Sequence, residues 1–478
     1  MAKKKDVFVC SACGHRVSKW MGQCPQCGAW NTMEEQESEP AEGIRQAPAV
    51  KPAGKLKSLS EIQIDQEPRY MTGISEFDRV MGGGLVRDGV TILAARPGAG
   101  KSTLMLQVAQ SLAEQGKRIL YISGEESESQ IKRRAERVLT EIHERIWVCS
   151  TTSMNRVLGA VGSVHPQILM VDSIQTMTVD EIASRPGAPT QVMECAEVLM
   201  KLAKDPEEPR VVLMAGQVTK EDELAGVRAL EHLVDTVLYI EPEQGDDLRI
   251  LQATKNRFGS TGEMGFFTME ETGLAAIENP SEYFMTHRGS GTLVTGSALT
   301  VVREGTRPVI VEIEALVSRS YTPYPLRIAD CMKRDQLLVL LSILEQRGGR
   351  PLYDQNVVVK TTGGLKLSGQ EGHLAVIMAI LSSTMDQGIR TDYAYIGDVG
   401  LTGELKRVPQ MESRVRELER MGFARVYVPE KSLKAEIVKK YDRIEIRQLR
   451  TLAAVMYDVF GDFSHRDGKQ SPSGGMIC

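Results

Sequence analysis

A multi-domain α/β protein is the fold class this sequence predicts, and three observations carry the expectation. Four of the eight cysteines crowd into the first 27 residues. The glycine-rich stretch ARPGAGKS sits between an apolar run and a helical one. Short apolar runs then alternate with amphipathic stretches through the middle of the chain, the pattern of α/β units around a mostly parallel sheet. A chain of 478 residues allows about three domains, and a hydrophobic share of 42% is enough for ordinary buried cores. No apolar run approaches the roughly 18 residues of a membrane span, so no membrane association is expected. MAKKKDVFVC lacks the apolar stretch of a secretory signal, which makes the cytoplasm the expected compartment. A net charge of -5 provides no global attraction for nucleic acid, so a polyanion would have to meet cations gathered on one face.

The first element is CSACGHRVSKWMGQCPQCGAW, within residues 1–30. Cys10, Cys13, Cys24 and Cys27 are spaced C-x2-C-x10-C-x2-C, with Gly14 and Gly28 just after the pairs. Two residues between cysteines let both thiolates face one ion, and the glycines ease the tight turn behind each pair. A segment this small has almost no core of its own, and zinc can add about 10 kcal/mol or more to its folding. Four thiolates close the coordination sphere, which predicts a structural Zn²⁺. Trp20 and Trp30 either stack on bases or cap the small core, and capping is the expectation. Residues 31–58, rich in Glu, Pro, Ala and Gln, read as a linker.

Residues 59–280 carry the strand runs VTILAA, RILYIS, PQILMVD and RVVLMAG and the helical TLMLQVAQSLAEQG. Between the first strand and that helix lie Ala95, Arg96, Pro97, Gly98, Ala99, Gly100, Lys101, Ser102 and Thr103, a phosphate-binding loop. Successive N–H groups wrap the β-phosphate of ATP, Lys101 reaches the β and γ oxygens, and the Ser102 hydroxyl ligates Mg²⁺. The usual leading glycine is Ala95 here, which costs little if that residue keeps a strand-like φ. Asp172 ends the run QILMVD, where a carboxylate must sit to meet Mg²⁺ at the strand's C-terminal edge. RILYIS runs into GEES, placing Glu125 and Glu126 at the same edge; Glu125 is the candidate for polarising the attacking water, and Glu126 reads as a solvated helix start.

Residues 281–463 change rhythm, with strand-like GTLVTGSALTVV and PVIVEIEALV, helices at DQLLVLLSILEQR and HLAVIMAILSSTMD, and strands in YAYIGDVGLTGEL. A separate α+β domain is expected there. Residues 464–478 read as a disordered tail.

Taken in order, the four-cysteine knuckle, ARPGAGKST, YISGEES, GQVTKEDELAGVRALEHLVDTVLY and KNRFG closely resemble the RadA (Sms) family of bacterial DNA repair proteins across nearly the whole chain. KNRFG, comprising Lys255, Asn256, Arg257, Phe258 and Gly259, is the most distinctive of these motifs. The resemblance implies a zinc knuckle, a RecA-like ATPase core and a C-terminal domain similar to the Lon protease domain. It also implies a DNA-dependent ATPase that assembles as a homo-hexameric ring, binds single-stranded and branched DNA beside a RecA-type recombinase, and promotes branch migration. By the same resemblance Lys101 and Ser102 take nucleotide roles, Asp172 a metal role, and Glu125 matches the catalytic glutamate.

Gln217 departs from the family's usual histidine before VTK, but either side chain donates a hydrogen bond, so a relay from γ-phosphate to a DNA loop is expected to survive. Lys220 and Arg228, in the following TKEDELAGVRALEH, are candidates for that loop, an ordinary surface loop being the alternative. Lys255 and Arg257 align with a cation pair that RecA-like rings place against a neighbour's ATP. Cations delivered to a transferring phosphoryl group are worth about 10³ to 10⁵ in rate in other NTPases. Direct DNA contact and a salt-bridged pair beside a turn at Gly259 remain the competing readings.

An alignment with Lon places Glu371 and Arg414 where its serine nucleophile and lysine base stand. A carboxylate there is no hydroxyl nucleophile and a guanidinium is no base, so no peptidase activity is expected. Ser382 and Ser383 lie on an apolar helix, where hydroxyls bond the preceding turn. Two other functions stand beside the DNA motor: a Lon-like ATP-dependent protease, and a zinc-bearing nucleic-acid adaptor switched by nucleotide.

Overall fold

The structure is a computed structural model that describes residues 7–17, 19–36, 58, 60, 69–218, 230–242 and 247–461. The chain divides into two compact units, Met1–Gln66 and Glu67–Cys478. Most of the expected linker and the whole of the expected tail lie outside the described residues.

The smaller unit is an antiparallel ribbon of β1 (Val7–Cys10), β2 (Arg16–Val17) and β3 (Met33–Gln36), in the order β2-β1-β3. β3 pairs with β1, Met33 opposite Cys10, so the ribbon continues past residue 30 into the stretch read as linker. Its buried core is Cys10, Cys24 and Met33, with Phe8 and Val17 packed against it. Trp20 and Trp30 are 59% and 71% exposed, which corrects the expectation that they cap this core. The small interior is built instead from two cysteines and Met33, with Phe8 and Val17 against them.

The larger unit opens with a short ribbon, β4 (Arg69–Tyr70) and β5 (Leu85–Val86), around helix α1 (Ser75–Met81). The α/β alternation follows: β6 (Val90–Ala95), α2 (Lys101–Glu114), β7 (Ile119–Ser123), α3 (Glu128–Val138), β8 (Ile146–Ser150), α4 (Met154–Val164), β9 (Ile168–Asp172), α5 (Pro189–Ala203) and β10 (Val211–Gln217). β11 (Thr236–Pro242), β12 (Leu248–Asn256), β13 (Met264–Glu270) and β14 (Gly273–Ala276) complete a nine-stranded sheet in the order β14-β13-β12-β11-β6-β10-β9-β7-β8. Pairing is parallel from β11 through β8 and antiparallel from β11 to β14.

The central strands are almost wholly apolar, Thr91 in β6 being an exception, because both faces of the sheet are covered. Leu93 and Ala95 face a core shared with α1, α2 and α3, whereas Ile92 and Ala94 face a second core shared with α4 and α5.

The rest of the larger unit holds a seven-stranded sheet, ordered Arg327–Ala329, Gln355–Thr361, Arg307–Arg319, Ser297–Glu304, Tyr393–Tyr395, Arg425–Pro429 and Glu445–Leu449. The helix His373–Met385 is buried from His373 through Ser382 against this sheet, and Arg334–Gly348 joins the same core. The two sheets share interior contacts. Phe266 of β13 and Phe284 are both fully buried and meet edge to face, 5.8 Å between centroids at 78°. Glu76 of α1 accepts from the Phe266 N–H at 2.9 Å and from Arg307 at 3.0 Å.

Phe266→Ala is expected to lower the stability of this unit by about 3–5 kcal/mol, because a large ring leaves a cavity that its neighbours only partly fill. The measurement is a shift of the denaturant midpoint at unchanged slope.

Candidate functional site

In the small unit the ligand atoms of Cys10, Cys13, Cys24 and Cys27 all lie within 4.8 Å of one another. The Sγ atoms of Cys10 and Cys27 are 3.7 Å apart, those of Cys13 and Cys24 3.6 Å. A zinc–sulfur bond of about 2.3 Å gives a tetrahedral edge of about 3.8 Å, so the quartet fits Zn²⁺. Gly14 and Gly28 have φ of 75° and 73°, and their N–H groups donate to the carbonyls of Cys10 and Cys24 at 2.8 and 2.9 Å. Those left-handed turns fold the chain back behind each pair. The Thr32 hydroxyl, 3.2 Å from Cys10 Sγ, leads the contacts that lower this thiol to about 6. At Cys13 a backbone bond near His15 favours the thiolate, but the sulfur contacts, Cys27 first, and desolvation push it up to about 12.

In the larger unit, parallel register brings the ATP candidates to one edge. Gln217 at the end of β10 pairs with Ala95 at the end of β6, and Asp172 at the end of β9 pairs with Ser123 at the end of β7. Ala95 is a buried strand residue with no positive φ, which is why the loop tolerates it in place of glycine. Gly98 and Gly100 have φ of 80° and 103°, conformations a side chain would strain, and Gly100 caps α2. Arg96, Pro97 and Gly98 are exposed, Ala99 is buried, and Lys101, Ser102 and Thr103 form the first turn of α2.

Lys101 is buried and donates to the Ala95 carbonyl at 3.1 Å. Burial lowers its pKa, against the pull of Asp172 and Glu125. Asp172 accepts from Tyr121 at 2.7 Å, and burial, then the Asp172 charge, hold that phenol well above its usual range. Glu125 Oε1 accepts two hydrogen bonds, from Ser173 Oγ at 2.6 Å and from Gln217 Nε2 at 2.8 Å. Glu126 pairs instead with Arg134. No local signal in the sequence marks Tyr121 or Ser173, although Ser173 adjoins Asp172 and Tyr121 lies within the strand RILYIS.

KNRFG lies elsewhere. Lys255 and Asn256 end β12 beside Val237 and Thr236, at the edge of the sheet where β6 begins. Lys255 donates to the Glu231 carbonyl; burial first, then Arg257, lowers its pKa. Arg257 donates to Asp235 Oδ1 at 2.9 Å, its side chain still 49% exposed. Asn256 is buried, donating to the Met81 carbonyl at 3.3 Å and accepting from the Phe258 N–H at 2.9 Å. Gly259 lies against Gly82, 3.5 Å from where a Cβ would stand, and the Phe258 carbonyl accepts from Arg69. So the motif's centre locks a turn, and its two cations sit away from the same chain's phosphate loop. Lys220 and Arg228 lie outside the described residues.

In the C-terminal half, Glu371 and Arg414 form an ion pair at 3.1 Å with Arg414 3% exposed. Arg414 also donates to the Val301 carbonyl. Ser382 donates to the Gln387 carbonyl at 2.6 Å and accepts from the Gly296 N–H, while Ser383 accepts from Val317. The two hydroxyls therefore tie the helix to neighbouring segments instead of bonding the preceding turn.

The strand order and the loop after β6 place this core among the RecA-like P-loop ATPases, here combined with a zinc ribbon and a Lon-like α+β domain. Family profiles agree: a rubredoxin metal binding domain matches residues 8–35 and an AAA domain matches residues 57–212. The chain belongs to the RadA family of DNA repair proteins. It is 43% identical to DNA repair protein RadA of Bacillus subtilis (strain 168), covering 91% of this chain and 94% of the relative. It is 40% identical to RadA of Pseudomonas aeruginosa, covering 90% and 94%. It is 39% identical to RadA of Streptococcus pyogenes serotype M1, covering 96% and 100%. The protein is an ATP hydrolase: ATP is the nucleotide it splits, and Mg²⁺ and Zn²⁺ are its metal ions.

Cys24→Ser is expected to abolish zinc retention, read by metal analysis of the purified protein. Glu125→Gln is expected to lower the rate of ATP hydrolysis by about 10² to 10⁴ while nucleotide binding, followed with a fluorescent analogue, persists.

Proposed function

We propose that this chain is one subunit of a hexameric ring motor that grips single-stranded and branched DNA. It drives branch migration and the processing of recombination intermediates, in the cytoplasm and beside a RecA-type recombinase. The observation that supports this reading most is the separation of the two halves of the ATP machinery. β6 spans six residues, so its ends are about 17 Å apart at about 3.3 Å per residue. The phosphate loop follows one end, and Lys255 and Arg257 stand by the other. They serve ATP only when a neighbouring copy presents its loop to them.

Within one seam, Lys101 and the backbone N–H groups of residues 98–103 hold the phosphates, Pro97 having no N–H to offer, and Ser102 and Asp172 would hold Mg²⁺. When bound there, the metal would supply charge neutralisation to the phosphates. Glu125 takes the proton of the attacking water, oriented by Ser173. Gln217 touches Glu125 and directly precedes the segment with Lys220 and Arg228, so the state of the base and the grip on DNA are linked through one side chain. Lys255 and Arg257, from the adjacent subunit, neutralise charge on the departing γ-phosphate.

The protease reading has no support in the Glu371–Arg414 pair, and casein is expected to stay intact with ATP present. A nucleotide-switched adaptor would show no DNA-stimulated turnover, whereas the motor shows it.

Mixing two inactive variants tests the seam. Lys101→Ala and Lys255→Ala are each expected to lose DNA-stimulated turnover, with Lys255→Ala still binding ATP. In an equal mixture, about a quarter of head-to-tail seams pair an intact loop with an intact lysine, so activity returns to about that fraction. A mixture as inactive as its components contradicts action in trans.

A further inference from the structure

The role proposed for Arg257 sets up an electrostatic conflict. In the single chain its guanidinium is committed to Asp235, with a weaker bond to the His232 carbonyl at 3.4 Å. Asp235 is 2% exposed. Its other oxygen, Oδ2, accepts from the Val90 N–H at 3.1 Å, at the very start of β6, so the carboxylate is pinned and cannot follow a departing partner. A guanidinium that turns to a neighbour's phosphate leaves a buried carboxylate short of its cation, and an uncompensated buried charge is strongly destabilising. On Asp235 alone, Arg257 would be trapped.

A second cation stands at the same oxygen. Lys204, the residue that follows α5, has its Nζ 3.4 Å from Asp235 Oδ1 and a side chain 45% exposed. That distance is longer than the 2.9 Å of the arginine contact. A lysine ammonium is a compact charge on a flexible stem, able to close the remaining gap when the planar guanidinium withdraws.

We infer that Lys204 and Asp235 form a hand-off for Arg257: Lys204 takes over the neutralisation of Asp235 while Arg257 reaches the phosphate of the nucleotide bound by the neighbouring subunit. Lys204 is thus a positioning residue that acts through Asp235 and Arg257. The inference rests on the proposed trans role of Arg257.

The test is steady-state ATP turnover of the full chain with a single-stranded oligonucleotide, for Lys204→Met, Lys204→Arg, Arg257→Ala, Asp235→Asn and the Lys204→Met/Asp235→Asn double variant. Lys204→Met is expected to lower kcat about tenfold, a coupling of about 1.4 kcal/mol, because Arg257 stays on Asp235. Its KM for ATP stays within about twofold, since nucleotide binding does not use Arg257. Thermal midpoint and assembly state remain those of the wild type, and Lys204→Arg recovers most of the rate. Adding Asp235→Asn to Lys204→Met raises kcat again, because a neutral amide no longer holds the guanidinium; mere structural damage would accumulate instead. If Lys204→Met turns over at the wild-type rate while Arg257→Ala is inactive, the hand-off is wrong and the trans role stands. If Arg257→Ala itself keeps the wild-type rate, both fall.

Discussion

The hydrogen-bond ladders that run in parallel from β6 through β10 and β9 to β7 hold the larger unit's chemistry in place. They pair Gln217 with Ala95 and Asp172 with Ser123. A slip of one residue between any two of these strands would turn every side chain to the opposite face. That slip is prevented by two dissimilar cores, one against Leu93 and Ala95 and the other against Ile92 and Ala94. Residues far apart in sequence therefore meet at one edge because the apolar alternation inside the sheet leaves them no other place. Glu125, reached by Ser173, the residue after β9, and by Gln217, the last residue of β10, is the visible result.

Much of this was legible in the sequence, for identifiable physical reasons. Almost wholly apolar runs reveal strands covered on both faces, and the glycines of ARPGAGKS and of the cysteine knuckle mark backbone that must turn left-handed. Cysteine spacing alone fixes a four-sulfur cluster. What escaped detection lacks a local signature. The strand IWVCS is only partly buried and short, and helices α4 and α5 follow without a motif. Tryptophans beside a zinc knuckle look like core residues, yet the ribbon's interior is built from two cysteines and Met33 instead. Asp235 carries no signal beyond being an acid before a strand; its importance comes from what two distant cations do around it.

The molecule also has an asymmetry in where its cations stand. Its phosphate loop opens at the carboxyl ends of the parallel strands, while Lys255 and Arg257 gather near their amino ends. On the proposed reading these two faces meet across a seam between neighbouring copies, an arrangement that head-to-tail association gives and a two-fold dimer does not. On the proposed reading, the buried Asp235 links the two, since its Oδ2 is fastened to the first residue of the very strand whose far end leads into the phosphate loop.

The pairing of Glu371 with Arg414 has a historical consequence. Both groups are largely withdrawn from water, and changing either one alone strands the other as an uncompensated charge, at a cost of about 3–5 kcal/mol. A lineage starting from this chain could place a hydroxyl and an amine there only by altering two codons together or by tolerating a badly weakened intermediate. The ion pair thus works as a latch, resisting single changes at either position more firmly than packing alone would.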